Sequence, residues 1–398
     1  MPDAIAYRAG TYRAADPEET WQRVAPMLPR FGITRVADIT RLDDIGLPVH
    51  VAYRPAGLTF AVSIGTGDAA PQSRVSAVME SIETWHAENL RLPTAARAPA
   101  AALGLGYDVR DLNLAPRSPL TPAVVLDWVS GRGLLTGREI LAPGDCIRLD
   151  GTAPRDWPSV FFWPTSAGLA TGNTEAEAVL HGLHEVIERA SVTAHHDAPR
   201  SRRRYVDPGS CRDPLTRRVY DALRAAGCAV TACDITGPVG LPCFAAVIWS
   251  ADVPIRCSGF GCHVNAGIAL GRALSEAVLS RLAAISGARD DIDGDAYREM
   301  AGLPEPAEPA RFRADAGWAD DGDLRSVIRH CASLVAAVTG AEPFAVRLDH
   351  EDIGIPAVKV IAPGLRIVMA TPRRPPGSPP GGAAPAPGRA DAGPWPPP

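Results

Sequence analysis

Residues 73–90 read SRVSAVMESIETWHAENL, and residues 170–189 read ATGNTEAEAVLHGLHEVIER. In the first stretch Val75, Met79, Ile82, Trp85 and His86 recur every three or four positions, which predicts one face of a helix. In the second, Asn173-Thr174 opens a helix running to about His195, with Thr174 and Glu177 at capping-box spacing. Both helices carry acids at i,i+3 beside apolar residues: Glu80 and Glu83 on one, Glu185 and Glu188 on the other. Glu177 lies about two turns before Glu185 on nearly the same face. Carboxylates bordering Met79, Ile82, Leu183 and Val186 are costly to bury without a partner. Mg2+ is the natural counter-ion, because it takes oxygen ligands and usually shares them with phosphates. An E-x-x-E spacing alone is common on solvated helices. Two such pairs, each beside a glycine-bearing turn (GTG at 65–67 and ATGNT at 170–174), point to a site. Turns of this kind are expected to offer backbone N–H groups to an anion, although neither is a P-loop.

Around these helices the chain alternates short β-like runs with helical ones. Strands are expected at 47–55, 58–67, 123–130, 243–250 and in FAVRLD and AVKVIAPGL. A hairpin is expected to turn at Ser130-Gly131-Arg132-Gly133. A third helix is predicted over 266–286 and a last one over about 323–338. Strands mixed with helices indicate an α/β or α+β protein. The third helix carries Arg272, Glu276 and Arg281, with Arg289-Asp290-Asp291 beyond its end. Arginine matches phosphate geometry, while an i,i+4 pair between Arg272 and Glu276 explains those two equally well. Glu83-x-x-His86, with His181 and His184, resembles part of a di-iron site, but that architecture needs four long helices without intervening strands. The run RSRRRY at 200–205 reads as a solvated loop, with docking of a peptide leader the sharper alternative.

The 398 residues include 40 basic and 45 acidic side chains and are 46% hydrophobic, enough for a sizeable core. A net charge of −5 argues against a dedicated nucleic-acid or anionic-membrane protein. No signal-like opening and no run of about 18 apolar residues is present, so a soluble, cytoplasmic protein is expected. The eight cysteines are dispersed without a C-x-x-C pair, which fits reduced thiols rather than a disulfide framework. Residues 371–398 hold 11 of the 39 prolines and no aliphatic cluster, so a disordered tail is expected after a catalytic domain spanning 1–370.

Four blocks together resemble the YcaO superfamily: SAVMESIE at 76–83, SAGLATGNTEAEAVLHGLHEVIER at 166–189, GFGCHVN with RALSEAVLSRLAAISGARDD at 259–291, and IPAVKVIAPGL at 355–365. The resemblance implies an α+β fold with helices packed on mixed β-sheets, and ATP with Mg2+ held among acidic helices. By position it assigns Ser76, Asn173 and Glu177 to the nucleotide, and Glu80, Glu83, Glu185 and Glu188 to the metal. Arg189 and Arg281 would face phosphate, and Arg13 and Thr20 would contact the nucleotide. The opening, YRAGTYRAADPEETWQRVAPMLPRFGITRVADITRLDDIGLPV, is similar to members that work with a TfuA-like partner to install thioamides in ribosomally made precursor peptides. Azoline-forming cyclodehydration, or a substrate-binding scaffold with reduced catalysis, are the alternatives, and a homodimer is compatible with all three. Thr66 and Ala190 stand where the family often has Lys and Asp.

Overall fold

The computed structural model describes residues 6–8, 11–150, 161–288, 309–313, 323–348, 350 and 352–368. The proline-rich segment and Arg289-Asp290-Asp291 lie outside the described residues. Six helices of eight residues or more are described: α1 (Pro17–Val24), α2 (Ala70–Glu88), α3 (Glu175–Asp197), α4 (Pro214–Ala225), α5 (Ala266–Ile285) and α6 (Leu324–Thr339). The strands are β1 (Ala6–Arg8), β2 (Thr11–Arg13), β3 (Arg35–Asp38), β4 (Val49–Tyr53), β5 (Val62–Thr66), β6 (Ala96–Pro99), β7 (Val125–Gly133) and β8 (Glu139–Pro143). They continue with β9 (Leu169–Thr171), β10 (Arg204–Asp207), β11 (Ala229–Asp234), β12 (Cys243–Trp249), β13 (Cys257–Cys262), β14 (Ala310–Arg311), β15 (Phe344–Arg347) and β16 (Ala357–Ile361).

Strands β1 and β2 form a hairpin, β3-β4-β5 a small antiparallel sheet, and β6-β7-β15-β16-β9 a larger one with β8 on β7. The order β13-β12-β11-β10-β14 gives a five-stranded sheet, antiparallel except where β14 runs parallel to β10. The architecture is α+β with mixed sheets, as the sequence implied. Strand β12 shows why. Cys243, Ala245 and Val247 face one core with α3 and α6, while Phe244, Ala246 and Ile248 face another with α4 and α5. A strand covered on both faces is a continuous apolar run. Helix α3 therefore lies between the five-stranded sheet and the β9–β16 edge of the larger one, and α2 packs on β4, β5 and β9.

Two turn assignments change. Strand β7 continues through Gly131 and Gly133 and pairs Arg132 with Glu139, so the reversal falls at 134–137, where Gly137 has φ +68°. The two earlier glycines allow close approach instead: a Cβ at Gly131 would stand 3.0 Å from the Ala345 carbonyl, and one at Gly133 2.5 Å from Glu342. Gly65 likewise sits inside β5, where a Cβ would lie 2.1 Å from the Ala77 amide of α2. Its function is to let that helix lie on the strand.

Candidate active site

Helices α2, α3 and α5 converge where β9 and β13 end their sheets, and their acids meet there. Three of them are oriented by a backbone donor from a neighbouring segment. The Thr171 amide donates to Glu83 Oε2 at 3.1 Å, the Gly168 amide to Glu185 Oε2 at 3.1 Å, and the Phe260 amide to Glu276 Oε2 at 2.7 Å. Glu80 and Glu188 complete the group. Glu80 is exposed and Glu83, Glu185 and Glu188 are half-buried, so they line an open recess. Burial, then Glu185 and Glu276, push Glu80 up to about 8. Burial, then Glu276, does the same for Glu188. Glu83 stands well above its ordinary value through burial, Glu185 and Glu80. Burial also raises Glu185, against the pull of Arg189 and Lys359.

Such mutual repulsion is what a bound cation relieves. Among the described residues no three Asp, Glu, His or Cys side chains are placed to hold a metal ion by themselves. That suits Mg2+ held by one or two carboxylates with phosphate and water supplying the remaining ligands. The protein's own cations sit at the margin. Arg189 Nε lies 3.7 Å from Glu185 Oε1; burial lowers the Arg189 pKa, but Glu188, Glu185 and Glu276 raise it overall. Lys359 on β16 donates to the Thr165 carbonyl at 2.5 Å and is held down to about 8 by burial, although Glu185 and Glu83 oppose that shift. Arg272 of α5 donates to the Cys262 carbonyl at 3.3 Å and feels both Arg13 and Glu188.

Next to this recess lies a second polar group. Arg13 donates to Glu177 Oε1 at 2.8 Å, and the Ala14 amide to Glu177 Oε2 at 3.0 Å. Asn173 Oδ1 accepts from Thr20 Oγ1 at 2.8 Å and from Arg23 at 2.7 Å. The capping box is thus half formed. Thr174 accepts from the Glu177 amide, but the Glu177 carboxylate reaches out to Arg13, Ala14 and Asn173 rather than back to its own cap. The Gly172 amide is spent on the Pro356 carbonyl at 3.2 Å, so that turn does not offer it to an anion. Buried His184 and His263 and half-buried His181 line a narrow extension with Arg272 and Leu324. Burial depresses all three, His184 to about 3, so they are neutral hydrogen-bonding groups.

Most of the sequence-predicted residues meet here: Arg13, Thr20, Asn173, Glu177, Glu80, Glu83, Glu185, Glu188 and Arg189. Ser76 is exposed on α2 one turn before Glu80. Arg281 is the exception. Its guanidinium pairs with Asp43 at 2.8 Å and Asp252 at 3.0 Å and bonds Ser250, and its side chain and that of Asp43 are each only 3% exposed. Breaking such a pair costs about 3–5 kcal/mol, so Arg281 is committed to folding and does not face the recess. Arg272, nine residues earlier, is the α5 arginine that does. His86 packs among Phe31, Trp85 and His350, away from a role beside Glu83. Thr66 donates to the Pro48 carbonyl at 3.2 Å as β5 ends. Glu276 and Lys359 went unassigned in the sequence. The i,i+4 spacing of Glu276 from Arg272 pointed to an intrahelical pair and a lone lysine gives no spacing signal, so only their arrival beside the paired acids marks them.

Comparison with known proteins agrees with this geometry. A family model described as YcaO cyclodehydratase, ATP- and Mg2+-binding, matches residues 64–366. An uncharacterised Mycobacterium tuberculosis protein is 38% identical over 385 residues, covering 94% of this chain and 87% of its own. An uncharacterised Rhizobium leguminosarum bv. trifolii protein, described as lying in the tfuA 3′ region, is 32% identical over 387 residues and 89% of each chain. The structure of YcaO from Methanopyrus kandleri bound with AMPPCP and Mg2+ superposes with a TM-score of 0.70 at 22% identity, over 95% of this chain and all of that one. A heterocyclase in complex with substrate and cofactor gives 0.70 at 21% identity over 92% of this chain, which spans about half (55%) of that protein. Acidic helices in this order, on this fold, and a family model matching most of the length leave one assignment: the chain belongs to the YcaO family.

Proposed function

We propose that this chain is an ATP- and Mg2+-dependent enzyme that activates a backbone amide of a peptide by O-phosphorylation, and that its product is a thioamide in a ribosomally made peptide, formed with a TfuA-like partner. The observation that carries the reading is the meeting of Glu80, Glu83, Glu185 and Glu188 with Glu276, from three helices, the first four with carboxylate values driven up by burial and by acidic neighbours. A triphosphate with its metal ions is a ligand that such a recess would hold.

An amide carbonyl resists attack because resonance stabilises it. Addition of sulfide gives a tetrahedral oxyanion; transfer of the γ-phosphoryl to that oxygen turns it into a leaving group, and elimination of phosphate leaves C=S. Bound Mg2+ supplies charge neutralisation for the transferring phosphoryl group. The rest of the work is positioning and electrostatics. Glu80 and Glu83 from α2 and Glu185 and Glu188 from α3 would hold the ions, with Glu276 as an added ligand or orienting acid. Arg189 and Arg272 would meet the charge on phosphate as it develops. Arg13, Thr20, Asn173, Glu177 and Ser76 would orient the nucleotide. Support for the thioamide comes from the Rhizobium relative's tfuA-region description and from the opening segment, whose Arg13 and Thr20 reach Glu177 and Asn173.

Azoline formation is the second reading, favoured by the cyclodehydratase description of the family model. One reconstitution separates the two. The chain is combined with a TfuA-like protein, ATP, Mg2+, sulfide and a candidate precursor, and the product is weighed. Exchange of O for S is the expected mass change, and loss of one water would establish the azoline instead. ATP hydrolysis without peptide modification, under conditions where the partner and precursor are bound, would refute both.

A further inference from the structure

At the edge of the five-stranded sheet opposite β13, a cavity of about 410 Å3 opens between β14, α4 and α5. Its lining includes Ser210, Arg212, Asp213, Asn265, Arg311 and Phe312. Arg212 and Arg311 are both exposed. The acid in the lining, Asp213, is engaged as the cap of α4, accepting from the Thr216 amide at 2.9 Å and from its hydroxyl at 3.0 Å. Strand β14 is only two residues long and is last in the sheet, with Ala310 opposite Val206 and Arg311 opposite Asp207. No strand covers its outer edge among the described residues. The strand is nevertheless fixed in place. The Phe312 amide donates to Ser210 Oγ at 2.8 Å, and its ring packs 5.7 Å from Phe244. The basic run singled out in the sequence ends here too, with Arg202 and Arg204 exposed where β10 begins.

We propose that this edge and cavity dock an extended, acidic segment of the peptide substrate. Its backbone would add alongside β14, and a carboxylate side chain would enter between Arg212 and Arg311. An open strand edge bonds a peptide backbone and gives a nucleic acid nothing to use, while two exposed guanidinium groups select carboxylates. The inference rests on the peptide-modifying function proposed above and names where that peptide is held. Helix α5 runs from the cavity, at Asn265, to the recess at Glu276, eleven residues or about 17 Å along its axis, so the docked segment is held apart from the residue being modified. The site should therefore govern substrate affinity and leave chemistry alone.

The test uses the full chain and a labelled short peptide alternating Glu and Val, with its Gln-Val counterpart and tripolyphosphate as comparisons. Binding is followed by fluorescence anisotropy, and Mg2+·ATP binding is measured in parallel. The acidic peptide should bind, the neutral one should not, and the R212A/R311A double variant should bind at least about tenfold more weakly with unchanged Mg2+·ATP affinity. The single variants should fall between, and Arg97→Ala on the distant β6 should have no effect. Equal binding by the double variant, or equal binding of the Gln-Val peptide, overturns the docking site. Displacement by tripolyphosphate as readily as by the acidic peptide would reduce it to a general anion site and also overturn it. Intact docking in a chain that fails to bind Mg2+·ATP would instead strike at the proposed function.

Discussion

Replacing Glu83 or Glu188 with Ala is expected to lower Mg2+-dependent ATP turnover by about 100- to 1,000-fold each, with the fold intact. The two acids come from different helices, α2 and α3, so a shared loss reports a shared ligand rather than local damage. Neither change should destabilise the metal-free protein much. In that state each carboxylate is repelled by its neighbours: burial and then Glu185 raise Glu83, and burial and then Glu276 raise Glu188. Glu83→Gln is a closer probe still, because it keeps an acceptor for the Thr171 amide while removing the charge. Glu139→Ala, at an exposed site on β8, is the control and should hydrolyse ATP at the wild-type rate. Steady-state turnover with a melting curve for each variant decides the matter. Unchanged turnover in both Glu83→Ala and Glu188→Ala would remove the metal assignment.

The second large effect is a dependence of stability on pH that Mg2+ reverses. Glu80 and Glu188 are held at about 8 in the folded chain, by burial first and acidic neighbours second, against an ordinary 4.5. Between those values the folded chain carries more protons than the unfolded one. Stability is then greatest below the unfolded value and is lost as pH rises through the folded one. The depressed histidines act in the opposite sense. His181, His184 and His263 are neutral in the fold, so they favour stability as pH rises, but only up to their ordinary 6.5. From about pH 7 to about pH 8 the acids act without that opposition, before Lys359, held at about 8 against its ordinary 10.5, begins to counter them, and the metal-free protein should melt progressively lower, by ~2–4 °C for each kcal/mol lost. Added Mg2+ should recover more stability at the upper end of this range than at the lower. The Glu80→Gln, Glu188→Gln double variant should have a shallower slope, with Glu83 and Glu185 supplying what remains. A flat profile in the wild-type chain would mean that the acids do not share one recess.

The paired acids were legible because i,i+3 spacing is local: α2 and α3 form where periodicity and the Thr174 cap placed them. What sequence could not supply was the third helix's orientation. Arg272 and Arg281 are nine residues apart, which at 3.6 residues per turn places them 180° apart around α5, so one faces the recess and the other the Asp43 pair. Choosing between them requires knowing which side of α5 meets β13. The glycine-bearing segments misled for a related reason. Gly65 and Gly172 were expected to free amides for an anion, whereas a Cβ at Gly172 would stand 2.6 Å from the Ala178 amide and one at Gly65 2.1 Å from that of Ala77. Both glycines are there so that helix and strand can touch. Lys359 was unreadable as a site residue because it sits in an apolar strand, AVKVI, where only the neighbouring β9 and α3 supply its context.

The account depends on one arrangement, in which acids from α2 and α3 jointly hold a divalent ion on a triphosphate. Crystals grown with Mn2+ and a non-hydrolysable ATP analogue, measured for anomalous scattering, address it directly. The expected result is Mn2+ density between the Glu80–Glu83 pair and the Glu185–Glu188 pair, in contact with phosphate oxygens. Nucleotide bound with its metal elsewhere, and those four carboxylates left without an ion, would contradict it.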